Sequence, residues 1–300
     1  MRTVTAPAVR ATPQVPDLRG RPGARPAAAA LAAAAVLSQI AYPLLSGGAL
    51  RAATVLAVLL FAAASTADAA ARWGLRTSVT LTAAAAGWGL AAEAVGVATG
   101  FPFGAYAYTG TLGPHLLGVP LLIPAAWTMI AYPCLLLGRR LAGRRARRAV
   151  RVALLGGLCL AAWDLFLDPQ MVAAGHWVWA HPDPGLPGVP GIPLTNYAGW
   201  VLVAVGLVAL LDRLAPAEHG ASEHGAPEHG APARAAAGSG SPSRAAGAEP
   251  VPAVLLGWTW AGSTLGNLAF FDRPWVALYG GLAMGALVLP YLLRVARERR

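Results

Sequence analysis

Lysine is missing from all 300 residues, and Asp plus Glu number only 13. The formal charge of +10 therefore comes wholly from 23 arginines. These cluster at the ends of apolar runs with no base-reading motif beside them, which argues against nucleic acid as a partner. Cysteine is almost absent. Cys134 and Cys159 both lie inside apolar runs, so a disulfide framework is excluded and both read as small core residues. Charge is scarce too, at 12% of residues against 56% hydrophobic, with a mean hydropathy of +0.54. A water-soluble domain does not tolerate that balance.

What is present is a series of apolar runs, each about 20 residues long, the length that crosses a bilayer as a helix. The chain reads as an all-α, polytopic membrane bundle of eight spans: Ala27–Leu45, Ala52–Ala71, Thr77–Ala98, Val119–Gly138, Ala149–Leu167, Leu194–Leu211, Val251–Phe271 and Pro274–Leu293. The tails and even-numbered connections hold 21 arginines, and the odd-numbered ones only Arg51 and Arg273. That asymmetry predicts cytoplasmic termini in the cell membrane. Residues 1–26, rich in Pro and Arg, read as a disordered cytoplasmic tail; their charged stretch is too long for a signal peptide. Residues 27–214 form the expected six-helix core, 215–250 a low-complexity linker, and 251–300 two further helices with a basic end. The linker repeats Glu-His-Gly-Ala around His219, His224 and His229, but nothing beside them would fix a metal geometry.

The two long external connections resemble each other. Gly104-Ala-Tyr106-Ala-Tyr108 answers Gly175-His-Trp177-Val-Trp179, and Gly118-Val-Pro-Leu leading to Trp127 answers Gly191-Ile-Pro-Leu leading to Trp200. Counting back equally from the first glycines reaches Glu93 and Asp164. The pattern predicts a duplicated helix–aromatic loop–helix unit whose copies run in the same direction, about an axis along the membrane normal. Chance similarity between two Gly/Pro-rich loops is the competing reading.

Asp164 and Asp168 are four residues apart and so share a helix face. Pro169 should end that helix at Asp168. At the negative end of a helix dipole and beside a like charge, one of the pair can stay protonated, as a general acid must. If the repeat holds, Glu93 faces the same cavity. Ionisable groups in spans are costly, by about 2.5–3.5 kcal/mol at the centre, and usually line a cavity. An interfacial bond to loop backbone is the bland alternative. Asp68, with Arg72 four residues on, reads as a structural ion pair.

Phe101, Phe103, Tyr106, Tyr108, Trp127, Trp163, Trp177, Trp179 and Trp200 fall at the same level as the acids. An interfacial belt accounts for some of them, but their concentration on one side favours a ring-lined pocket able to stabilise a cation. His115 and His176 are candidate proton shuttles, and Asn196 either orients a water or caps its helix.

These residues resemble a known family. The run Glu93 to Tyr108, Gly118-Val-Pro, Ile123-Pro, Trp127, Trp163-Asp164, Asp168-Pro-Gln-Met, Trp177-Val-Trp179 and Pro193-Leu-Thr-Asn196-Tyr-Ala-Gly-Trp200 is similar to the membrane carotenoid hydratases of the γ-carotene and bisanhydrobacterioruberin type. The resemblance covers about residues 35–211 and, loosely, the last two spans. It implies hydration of the terminal alkene of a linear carotenoid ψ-end to a tertiary alcohol, by carboxylic acid/base catalysis. Glu93, Asp164 and Asp168 would be catalytic, the rings from Phe103 to Trp200 together with Asn196 would bind substrate, and no redox cofactor or metal would be needed. The bilayer and a hydrophobic carotenoid are the implied partners, with other enzymes of the pathway as candidates. A prenyltransferase using the Asp-x-x-x-Asp pair with Mg²⁺ would need cations for diphosphate, and the acid side carries only Arg51 and Arg273. A transporter would place its acids nearer the midplane. A pigment-binding protein without catalysis is the third rival.

Overall fold

The computed structural model describes residues 24–217 and 249–298; residues 1–23 of the proposed N-terminal tail, most of the linker and its three histidines lie outside them, while the last three residues of that tail, 24–26, are already helical, against the expected disorder. The helices are α1 (Ala24–Ala41), α2 (Gly47–Trp73), α3 (Leu75–Thr99), α4 (Leu122–Ala142), α5 (Arg148–Ala173), α6 (Leu194–Leu214), α7 (Pro250–Ala269) and α8 (Pro274–Arg297). Among the described residues, seven of these eight are long and apolar enough to cross a membrane. Helix α7, which corresponds to the expected span Val251–Phe271, is long enough at 20 residues. It carries no charged residue, but Trp258, Thr259, Trp260, Ser263, Thr264 and Asn267 hold its mean hydropathy below that of the other seven. The outer surface carries many exposed leucines, among them Leu37, Leu59, Leu202 and Leu282, as contact with lipid requires.

Helix α4 is the most enclosed of the seven. It meets α5 backbone to backbone. A Cβ on Gly138 would lie 2.6 Å from the Val152 carbonyl oxygen, and one on Gly156 would lie 2.6 Å from that of Cys134. Small residues at the crossing allow this approach, the usual route to packing where lipid removes the hydrophobic drive. Cys134 and Cys159 are buried beside it as free thiols, in keeping with a core role.

The arginine asymmetry becomes a physical end of the bundle. Glu249, just before α7, accepts from Tyr291 Oη (2.9 Å) and pairs with Arg72 (3.4 Å) and Arg140 (3.2 Å). Arg139 pairs with Asp212 at 2.6 Å and donates to the carbonyls of Asp212, Ala215 and Pro216. These contacts gather the C-terminal ends of α2, α4 and α6 and the start of α7. Asp68 reaches across to α4, where Tyr132 Oη donates to it at 2.6 Å, so its role is wider than the expected pair with Arg72 on its own helix.

The opposite end holds all the strands among the described residues: β1 (Tyr106–Tyr108), β2 (His115–Leu116), β3 (Val119–Pro120), β4 (Trp177–Trp179), β5 (Gly185–Leu186) and β6 (Val189–Pro193). Each half thus reads helix, three strands, helix, and β2–β3 and β5–β6 are matching hairpins. β1 and β4 pair antiparallel, with Tyr106 opposite Trp179, Ala107 opposite Val178 and Tyr108 opposite Trp177. Two copies of one strand pair this way when a two-fold axis passes through their centres. α3 and α5 both run toward these joined loops, so the repeat is parallel.

One local expectation fails. Helix α5 continues through Pro169 to Ala173 instead of ending at Asp168. Proline removes one backbone donor, a local loss that the flanking turns and tertiary packing tolerate. Both acids consequently sit more than a turn before the helix end, where the terminal dipole has faded.

Candidate active site

A cavity lies beneath the paired loops, about 410 Å³ with its open mouth included. Its wall includes Glu93 from α3 and Asp168 from α5, the corresponding helices of the two repeat units. Eight of the nine rings grouped in the sequence, Phe103, Tyr106, Tyr108, Trp127, Trp163, Trp177, Trp179 and Trp200, line it, as does Asn196. Phe101 does not, and is exposed. Ile123, Ala126 and Leu167 complete the wall.

Glu93 is held by three donors. Trp127 Nε1 reaches its Oε1 at 3.1 Å, and the hydroxyls of Tyr106 and Tyr108 reach its Oε2 at 2.5 and 2.8 Å. Burial, and after it the charge of Glu93, raises the pKa of both phenols, so they remain donors. A carboxylate offers about four lone-pair sites, so this cage leaves about one for a small guest. Space for the rings comes from two glycines on the same face of α3. A Cβ on Gly89 would lie 2.4 Å from Trp127 Cγ, and one on Gly96 would lie 2.8 Å from Tyr106 Oη.

Asp164 and Asp168 are gathered on one nitrogen. Asn196 Nδ2 donates to Asp164 Oδ2 at 3.1 Å and also to Asp168 Oδ2. Trp177 Nε1 donates to Asp168 Oδ1 at 3.1 Å, while Asp164 Oδ1 is buried without a hydrogen-bond partner. Asp168 faces the cavity, and Asp164, fully buried, stands behind it. The spacing of four residues brings the two carboxyls together, but the rotation of α5 decides which one meets the cavity. Asn196 sits in the first turn of α6 and spends its amide on these acids; the preceding Pro193 occupies the cap position.

The repeat axis is visible in the rings. Trp127 and Trp200, equivalent in the two units, stack at 4.6 Å with 7° between planes. Such a pair contributes about 0.5–1.5 kcal/mol beyond its buried area.

Neither histidine lines the cavity. His115 is exposed. His176 is buried and bonds Thr111 through Nδ1 (2.7 Å), while Thr109 donates to its carbonyl, so it ties the two loops together. Burial, with the charge of Arg51 second, lowers the pKa of His176.

Residues 53–230 match the family described as carotenoid biosynthesis protein. The chain belongs to that family. The matched segment contains Glu93 and Asp168 of the cavity wall, Asp164 behind them, both aromatic loops and Asn196. A bisanhydrobacterioruberin hydratase from Haloarcula japonica is 40% identical over 122 residues, 40% of either chain. The aligned stretch thus spans two fifths of that relative's length. No solved structure matches. In this carotenoid biosynthesis protein, sequence reasoning missed the glycine pair Gly89 and Gly96, although their spacing around Glu93 places all three on one helix face. It also missed Glu249, Asp212 and Arg139, whose pairings span distances in sequence that local patterns do not register.

Proposed function

We propose that this protein adds water across the terminal trisubstituted alkene of a linear carotenoid ψ-end, giving a tertiary alcohol. One observation carries the reading: a ring-walled cavity presents Asp168 and Glu93 from the two repeat units, with Asp164 joined to Asp168 through Asn196. A hydratase relative supports the same chemistry.

In this reaction the carboxylic acid of Asp168 gives its proton to the less substituted alkene carbon. A C–H bond forms from the π pair and leaves a tertiary cation, which the surrounding rings stabilise. Water held at the remaining acceptor site of Glu93 attacks that cation. Its surplus proton passes to Glu93 and returns to Asp168 through water, so alkene plus water becomes alcohol with nothing left over. Acid–base help of this kind supplies about 10²–10⁴-fold, and Asp164 acts as a positioning residue. Residues 27–214 carry the reaction in this reading, and the arginine end faces the cytoplasm.

The test is to express Asp168→Asn, Asp164→Asn and Glu93→Gln in cells that accumulate a linear carotenoid, and to separate the pigments. The variants should lose the hydroxylated product. Wild-type amounts from Asp168→Asn and Glu93→Gln would overturn the proposal.

A further inference from the structure

The acids account for the smaller of two neighbouring cavities. A second one, about 860 Å³ with its open mouth included, lies between α1, α2, α5 and α7. Trp163 and Leu167 line both, so two side chains form the partition between them. Its inner end is walled by buried Phe61, Met129 and Phe166. Its outer end is walled by half-buried Gln39, Tyr42, Ser263 and Phe271, where the cavity reaches the surface.

Several polar groups on this wall are already used. Trp258 Nε1 donates to Gln39 Oε1 at 2.7 Å. The hydroxyls of Thr54 and Thr259 turn back onto their own helices, to Leu50 O (2.9 Å) and Leu255 O (2.8 Å). Those positions present the wall to a guest as largely hydrocarbon and rings. The acid cavity, with about half the open space of its neighbour, is too short for a long linear polyene. The rest of such a molecule must leave through some wall, and the partition at Trp163 opens on a space twice as large.

We infer that the second cavity seats the polyene chain behind the reacting end, so that α1 and α7 select the carotenoid while α3 and α5 carry out the reaction. Both selecting helices lie outside the segment that matches the family, residues 53–230. The direction in which the chain is threaded rests on the hydratase reading; the occupancy does not.

The test uses the full chain purified in detergent, a linear carotenoid followed by its visible absorption, and a short linear isoprenoid bearing the same terminal alkene. Ala57→Phe and Ser263→Trp fill the cavity, and Ser263→Leu fills it in part. The two large substitutions should lower bound polyene at least tenfold and Ser263→Leu by less. Turnover of the short isoprenoid, which also reports an intact fold, should stay within threefold of wild type. Polyene binding at the wild-type level in the filled variants would overturn the inference. So would equal loss of both substrates in all three variants, or a wild-type cavity that co-purifies with lipid acyl chains and takes no polyene. A wild type that binds polyene, responds to filling and hydrates neither substrate would remove the hydratase reading and leave the cavity assignment standing.

Discussion

Replacing Asn196 by Leu tests the carboxyl pair most directly. Leucine has nearly the shape of asparagine, so the 1%-exposed site stays filled while the donor shared by Asp164 and Asp168 is lost. A hydrogen bond to a charged group contributes about 1.5–3 kcal/mol, and because one nitrogen serves both acids the combined loss is about 2–4 kcal/mol. At about 1.4 kcal/mol per factor of ten, that is a fall of about 30- to 700-fold in turnover. The loss should appear in kcat, with KM little changed, because the amide positions the acids instead of gripping the hydrocarbon. The assay is the initial rate of hydrated carotenoid formation in isolated membranes, normalised to protein present, beside a thermal melt in detergent. Asn196→Leu at wild-type abundance and within threefold of the wild-type rate would refute the claim that this nitrogen organises the reacting acids.

Other consequences follow from the same geometry. Gly89→Ala should push Trp127 out of its stack with Trp200 and away from Glu93, lowering activity by at least about tenfold and altering tryptophan fluorescence; Trp127→Phe keeps a ring but loses the N–H, about 10- to 100-fold by the same bond energy. Asp212→Asn leaves the 4%-exposed Arg139 without its counter-charge and should cost about 3–5 kcal/mol of stability, read as a lower melting temperature with the product ratio of the surviving protein unchanged. His176 has a folded-state pKa below its unfolded value, so the unfolded chain binds the proton more readily. Its contribution to stability is intact above about pH 6.5 and shrinks as pH falls below that value. His176→Gln should flatten the acid limb of a melting-temperature profile, and an unchanged limb would remove the loop tie as its cause.

Much of this protein is written in its local pattern. Helices follow from uninterrupted apolar runs of about 20 residues, because within a bilayer such a run satisfies its own backbone hydrogen bonds as a helix. The arginines mark one end of the bundle, and the echo between Gly104–Tyr108 and Gly175–Trp179 marks the other, so Glu93, the Asp164/Asp168 pair and the ring set could be picked out in advance. Tertiary structure decided what these residues do to one another. It carried α5 past Pro169, turned Asp168 rather than Asp164 to the cavity, and used Asn196 to bind both acids where the sequence offered a water-holder or a cap. It also closed the far end with Glu249, Arg139 and Asp212, and opened a second cavity between α1 and α7. The reason is physical: a helix follows from the residues along it, whereas its rotation and its neighbours follow from contacts between side chains far apart in the chain, such as Trp127 with Glu93 or Arg139 with Asp212.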